Sequence, residues 1–135
     1  WGAFRCAERA KVTVVKDGDN FVCAQHNGYE SMSVLLKRTF VCKGAEFKII
    51  DEVCCSDKDV DCVSMLFLSP DVNVVSFDYN TIRTSSGIIQ LDGAVSVEVE
   101  PVEIAVSYNI LRSTKRIAIA FKEKLSIVFV INQVR

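Results

Sequence analysis

Hydrophobic and polar residues alternate with a period of two over several parts of the chain. Between residues 95 and 100 three valines alternate with a serine and two glutamates, and between residues 117 and 121 two isoleucines and a phenylalanine alternate with alanines. This spacing directs one set of side chains to a buried face and the other set to the opposite face, as in a β-strand. No stretch shows the period of an amphipathic helix, and the pattern therefore predicts an all-β fold.

Turn-forming residues divide the chain into strand-sized apolar runs. About ten strands are predicted, which is too many for one small twisted sheet. Two packed antiparallel sheets, a two-layer antiparallel β-sandwich, are therefore expected. The predicted strands cover residues 12–15, 21–25, 34–42, 47–55, 63–68, 72–77, 81–84, 88–91, 94–100, 115–121 and 125–134.

Four of the connections between these runs are predicted to be hairpin loops. Residues 16–19 and 43–45 each place a glycine between two apolar runs. Asp92-Gly93 is a strong type I′ turn sequence and is expected to pair the strands on either side of it, as are residues 122–124. The alternation lapses over residues 109–114, which are predicted to form a long loop.

Length and charge restrict the classes of function. Residues 1–135 are expected to form one domain, because a chain of this length buries a core without help from disulfides or metals. The chain has 16 basic and 17 acidic residues, for a net charge of -1, which argues against a nucleic-acid partner. The longest apolar run, residues 127–131, is strand-sized, so that no membrane-spanning segment is predicted.

The first residues, beginning at Trp1, include neither an initiator methionine nor a signal peptide. We therefore expect the chain to be a piece from the C-terminus of a longer protein.

The cysteines are predicted to be mostly reduced and buried. They lie mainly inside apolar strand runs, where cysteine behaves as a small hydrophobic residue. No C-x-x-C spacing is present, so that neither a disulfide framework nor a zinc site is expected. The six cysteines are Cys6, Cys23, Cys42, Cys54, Cys55 and Cys62.

The sequence His26-Asn27-Gly28-Tyr29 is a first candidate site. A histidine and a tyrosine beside a glycine could present two groups that exchange protons with a ligand. The alternative is a tight turn in which Gly28 adopts a left-handed conformation and Tyr29 packs on the sheet. The turn is favoured, because the sequence shows no partner group for the histidine.

Arg38 is a second candidate, because Lys37 and Arg38 are adjacent in a strand and must face opposite ways. An inward-facing arginine could pair with Asp51 or bind a carboxylate or sulfate group in a bidentate manner. The structural ion pair is the favoured interpretation.

The other motifs do not indicate a metal site or a catalytic site. Asp57, Asp59 and Asp61 have the spacing that begins a calcium-binding loop, but the required glycine and closing glutamate are missing, so that a solvated acidic turn is expected. No nucleophile has an adjacent base, and no catalytic residue, metal site or cofactor is predicted.

Residues 125–134 are apolar on both faces and would favour a homodimer if they formed an unpaired edge strand.

Several short motifs occur in order along nearly the whole chain. They are WGAFR at residues 1–5, AKV at 10–12, HNGY at 26–29, KRTF at 37–40, IDEV at 50–53, FLSPDV at 67–72 and TKRI at 114–117. Together they resemble the C-terminal β-region of the bacterial heparinase II/III-like polysaccharide lyases. The resemblance implies an antiparallel β-sandwich that follows an N-terminal α-helical toroid in the parent protein.

The resemblance also implies an activity for the parent, namely cleavage of acidic, uronate-containing polysaccharides by β-elimination. The G-H-x-D and A-H-N motifs of the family are not present in this sequence. No catalytic residue is therefore transferred to this chain, which is expected to be a scaffold or a cleft wall. His26, Tyr29 and Arg38 are candidates for contact with the glycan or for support of the site. The parent is expected in the periplasm or at the cell envelope.

An alternative is a free-standing carbohydrate-binding or structural interaction module. Such modules stack sugars on exposed aromatic rings. Trp1, Tyr29, Tyr79 and Tyr108 are the aromatic residues available for this purpose.

Overall fold

The computed structural model describes residues 10–55 and 60–131, and these residues form eleven β-strands in two antiparallel sheets. Within these ranges the helical structure is a single 3₁₀ turn, Glu30–Met32, and no helix is long and apolar enough to cross a membrane. The predicted all-β fold is therefore confirmed. The strands are β1 (Val12–Gly18), β2 (Phe21–Tyr29), β3 (Val34–Lys43), β4 (Glu46–Cys55), β5 (Cys62–Phe67), β6 (Val74–Phe77), β7 (Thr81–Thr84), β8 (Gly87–Asp92), β9 (Ser96–Ser107), β10 (Ile110–Phe121) and β11 (Lys124–Ile131).

The two sheets differ greatly in size. The larger sheet has eight strands in the order β1-β2-β3-β4-β11-β8-β7-β6, and the smaller sheet has three in the order β5-β10-β9. The core lies between them and consists of apolar residues from both layers. Its buried members are Ile49, Ile82, Ile89, Leu91, Ile117, Ile119, Phe121, Leu125 and Ile127.

Three strands cannot cover eight, so part of the inner face of the larger sheet has no opposite layer. Strand β5 is the edge of the smaller sheet and lies over β3 and β4, which it contacts through Ser64. Val12 and Val14, farther out on β1, are exposed. This uncovered part of the face, beside β5, forms the cleft described below.

Two of the predicted hairpins are confirmed. The connection from β1 to β2 is a hairpin whose turn is at Asp19 and Asn20, slightly later than predicted, because β1 continues through Gly18. The connection from β3 to β4 uses Gly44, which has a φ of 60° and supplies the left-handed conformation of this turn.

The other two predicted hairpins are wrong. Strand β8 pairs with β7 and β11, while β9 pairs with β10, so that Asp92-Gly93 carries the chain from one sheet to the other. Strands β10 and β11 also belong to different sheets. Their buried residues belong to the same hydrophobic core, to which β10 contributes from the smaller sheet and β11 from the larger one.

Two other expectations are also corrected. Residues 109–114 do not form a long loop, because β10 begins at Ile110 and pairs with β9 beyond a turn at Tyr108 and Asn109. Strand β11 is not at an edge but lies between β4 and β8, which removes the original reason for expecting a homodimer.

The cysteines are less buried than predicted. Cys42 and Cys54 are exposed: Cys42 is the penultimate residue of β3, and Cys54 lies on the outward face of β4, the face that carries Glu52. Cys23 and Cys62 are half-buried. Cys6 and the side chain of Cys55 lie outside the described residues, as do Asp57 and Asp59.

Candidate functional site

An ion pair on the larger sheet is hydrogen-bonded to a serine of the smaller sheet at the bottom of the cleft. Arg38 on β3 lies opposite Asp51 on β4, and its Nε and Nη2 atoms donate to the two carboxylate oxygens at 2.5 and 2.7 Å. Ser64, on β5 of the smaller sheet, donates its hydroxyl proton to Asp51 at 2.9 Å and accepts a hydrogen bond from Arg38 at 3.2 Å. These three residues, the inter-sheet clamp, hold the edge of the smaller sheet in position.

The clamp confirms the favoured interpretation of Arg38. Asp51 and Ser64 are both buried, and a buried carboxylate needs a cation and hydrogen-bond donors to offset its lost hydration. The bidentate hydrogen bonds to Asp51 raise the pKa of Arg38. The guanidinium charge is thus already neutralised within the domain, so that Arg38 supports the cleft wall and offers little net charge to a ligand.

The next pair along the same two strands faces the other way. Lys37 lies opposite Glu52, with 2.7 Å between Nζ and Oε2, and Lys124 on β11 is 3.6 Å from the other carboxylate oxygen. The side chains of Lys37 and Glu52 are 30% and 29% exposed. Hydrogen bonding between them raises the pKa of Lys37 and lowers the pKa of Glu52.

The lowered pKa of Glu52 predicts a small pH dependence of stability. Stabilisation by the ionised carboxylate is present above the ordinary carboxyl pKa and is lost as the pH falls through the lowered value. Partial exposure limits the effect to less than about 1 kcal/mol. We expect Glu52→Gln to lower the free energy of unfolding at about pH 7 but not at about pH 2, measured by urea denaturation. An equal difference at both pH values would contradict this assignment.

His26 and Tyr29 lie together at the rim of the cleft. Their ring centroids are 5.8 Å apart with an interplanar angle of 54°. The Nδ1 atom of His26 accepts a hydrogen bond from the backbone N–H of Gly28 at 3.2 Å. In this arrangement a neutral imidazole carries its proton on Nε2.

The predicted turn at residues 26–29 is replaced by an irregular strand. Strand β2 continues to Tyr29, and its pairing with β3 shifts by one residue between His26 and Tyr29, as in a β-bulge. Gly28 does not have a positive φ; the left-handed residue is Ser33, after the 3₁₀ turn. A β-carbon on Gly28 would lie 3.0 Å from Nδ1 of His26 and 3.2 Å from Cβ of Ala10, so that glycine allows closer packing here than a residue with a side chain.

Asn27 connects this bulge to the beginning of β1. Its side-chain oxygen accepts a hydrogen bond from the N–H of Lys11 at 2.8 Å, and its backbone N–H donates to the carbonyl of Lys11 at 3.3 Å. Its amide group also donates to Glu30 at 3.0 Å. The contacts fix the position of the segment that carries His26 and Tyr29.

The cleft brings the three predicted site residues together. It has a volume of about 490 Å³, and His26, Tyr29 and Arg38 all line it. Apolar residues form much of the remaining wall. These include Val12, Met32, Val34, Leu36, Val60 and Phe121.

The chemistry of the cleft is that of a binding surface. The exposed ring of Tyr29 can stack on a sugar, and the imidazole of His26 can exchange a proton or a hydrogen bond with one. The arginine of the cleft is paired with a carboxylate, as the clamp shows. Among residues 10–55 and 60–131, no group of three or more histidine, cysteine, aspartate or glutamate residues is arranged to hold a metal ion.

Sequence reasoning missed Ser64, the third member of the clamp. A detectable sign was present, because Ser64 is the one hydroxyl-bearing residue in the otherwise apolar run of β5. A buried serine hydroxyl almost always has a hydrogen-bond partner, so a serine in such a run indicates a polar contact inside the fold. The identity of that partner depends on how the sheets pack.

The tyrosines of the carbohydrate-module alternative do not form one platform. Tyr29 is on β2, whereas Tyr79 lies in the turn between β6 and β7, at the opposite end of the larger sheet. Five strand spacings of about 4.8 Å separate β2 from β7, or roughly 24 Å. Tyr108 lies at the tip of the β9–β10 hairpin, and Trp1 lies outside the described residues.

Comparisons with known proteins agree with this fold. Similarity to solved structures covers most of the chain. For the heparan sulfate lyase HepC from Pedobacter heparinus the TM-score is 0.66 and the identity 16%, over 94% of this chain and 22% of that one. For a mutant of HepC the TM-score is 0.65 and the identity 18%, over 90% of this chain and 21% of that one. For the Heparinase III-BT4657 gene product the TM-score is 0.58 and the identity 13%, over 89% of this chain and 21% of that one.

The chain therefore spans about a fifth of the length of these structures, and the similarity establishes a shared fold for that part. None of the curated proteins compared with the chain matches it significantly. The family model described as "Heparinase II/III-like, C-terminal" matches residues 1–131. Because this match covers nearly the whole sequence, the chain belongs to the heparinase II/III-like family as its C-terminal domain.

Proposed function

We propose that this domain is the β-sandwich scaffold of a polysaccharide lyase that cleaves acidic, uronate-containing polysaccharides by β-elimination. The family match over residues 1–131 is the main support. The large part of the structurally similar lyases that lies outside the matched region would correspond to the catalytic part of the parent, with an N-terminal α-helical toroid. The domain by itself has no lyase activity in this proposal.

The residues of the cleft support a wall rather than a reaction centre. β-Elimination needs a group that neutralises the uronate carboxylate, a base for the C5 proton and an acid for the leaving oxygen. Arg38 is paired with Asp51 and does not supply the first of these. His26 and Tyr29 are the residues proposed to touch the glycan, and Arg38 is proposed to hold the wall on which they stand.

The activity of the whole polypeptide tests this proposal. We expect the native protein that contains these residues to release unsaturated uronate products from an acidic polysaccharide, detected by their ultraviolet absorbance. Tyr29→Ala is expected to raise KM by about fivefold, equivalent to about 1 kcal/mol of lost stacking, with little change in kcat.

Tyr79→Ala is the matched control, because Tyr79 is also exposed but lies at the other end of the larger sheet. It should leave both constants unchanged. Absence of product from every acidic polysaccharide would contradict the proposed activity, and equal effects of the two variants would contradict the role of the cleft.

A further inference from the structure

The outward face of β5 is more apolar than the face that packs in the core. The inward residues of β5 are a cysteine, a serine and a leucine, whereas Val63, Met65 and Phe67 lie on the opposite face. These three side chains are 52%, 51% and 57% exposed. An antiparallel strand that faces water normally carries polar residues on that side. The outward face of β5 thus has the composition of a buried face.

The neighbouring strand continues this surface with small side chains. Ala120 lies opposite Val63 and Ala118 lies opposite Met65. A low floor of alanines beside a taller apolar row allows another layer to approach to the usual packing distance of about 10 Å. The surface ends at Arg116, which lies opposite Phe67 and pairs with Glu100, and at β9, where the corresponding positions carry a serine and two glutamates. We call Val63, Met65, Phe67, Ala118 and Ala120 the outer apolar strip.

We infer that the outer apolar strip is covered, in the native protein, by an apolar-faced element from the part of the same polypeptide outside residues 1–135. The structurally similar lyases are about five times as long as the matched region, so that such an element is available in proteins of this kind. The inference concerns how the domain is joined to the rest of the protein and does not depend on the polysaccharide.

The size of the strip favours a covalently linked element over a second copy of the chain. A stable dimer buries about 800 Å² on each partner. Three half-exposed side chains and two alanines supply much less than this. A segment of the same polypeptide needs less contact area, because the linkage keeps it at a high effective concentration.

Methionine oxidation tests the inference with an internal control. The chain has two methionines, and Met32, in the 3₁₀ turn, is 66% exposed, while Met65 is 51% exposed in the domain. In the native polypeptide, a brief treatment with hydrogen peroxide should oxidise Met65 roughly tenfold more slowly than Met32, as measured by peptide mass spectrometry. Similar rates at the two methionines would overturn the inference.

A pair of variants provides a second measurement. Met65→Lys should lower the melting temperature of the native polypeptide by about 4 °C or more, because it places a charge in the covered layer, whereas Met32→Lys should change it by less than about 1 °C. Equally small shifts of the melting temperature in the two variants would argue against an element that covers the outer apolar strip. If the protection of Met65 disappeared on dilution while the molecular mass was halved, the cover would be a second copy of the chain, and the inference would be overturned. A native polypeptide that consists of these 135 residues alone would also overturn it.

Discussion

Replacement of Ile119 by alanine is expected to lower the free energy of unfolding by about 2 to 5 kcal/mol. Ile119 is completely buried on β10, between Ser64 of β5 and Val97 of β9, and faces the larger sheet. Removal of its outer carbon atoms would leave a cavity that the two rigid sheets cannot close, so that both the transfer free energy and the packing are lost. Urea denaturation monitored by circular dichroism gives the change.

Ile110→Ala is the matched control for this prediction. Ile110 is the same residue type on the same strand, but it is 53% exposed beyond the covered part of the sheet. Its replacement should cost less than about 1 kcal/mol. If the two variants had equal stability, Ile119 would not be in the core.

Replacement of Asp51 by alanine is expected to cost about 2 to 3 kcal/mol. The change leaves the Arg38 guanidinium and the Ser64 hydroxyl without their acceptor at the junction of the two sheets. Loss of one member of a fully buried pair costs about 3 to 5 kcal/mol, and the value expected here is smaller because the Arg38 side chain is 43% exposed. The same denaturation measurement applies.

Two further variants separate the clamp from an ordinary surface ion pair. Glu52→Ala removes the carboxylate of the adjacent pair in the same strands and should cost less than about 1 kcal/mol. The double variant Arg38→Met with Asp51→Leu should recover most of the stability lost in Asp51→Ala, because apolar groups leave no charge unpaired. A double variant as unstable as Asp51→Ala would show that packing, rather than the unpaired guanidinium, determines the loss.

The existence of the strands could be read from local patterns. Every predicted run overlaps an observed strand over the described residues, and β7 has the predicted bounds. Strand ends did not follow from the pattern: β9 continues to Ser107, with alternation at Val102, Ile104 and Val106 that the predicted run did not include, and β10 begins at Ile110, where residues 110–113 are exposed and do not alternate. Where no face is buried, periodicity contains no information about structure.

The ion pair of the clamp was also predictable. A short glycine-containing loop at Gly44 sets the register between β3 and β4, and this register places Arg38 opposite Asp51. The third residue, Ser64, was not predictable, because it belongs to the other sheet. Its contact depends on which strands form the second layer.

The sequence by itself determined the elements and the local pairs: the alternating strands, the hairpins between β1 and β2 and at Gly44, and the opposite orientation of Lys37 and Arg38. These depend on backbone geometry and on interactions between residues close in the chain.

Only the tertiary structure decided which strands share a sheet, and therefore where the cleft and the outer apolar strip lie. The turn at Asp92-Gly93 fits a hairpin as well as a crossing between sheets. The choice is made by the common core, because the apolar face of β10 excludes more water when it packs across the core against the apolar faces of β4, β7, β8 and β11. That long-range packing leaves three strands over eight, and the uncovered surfaces follow from the difference.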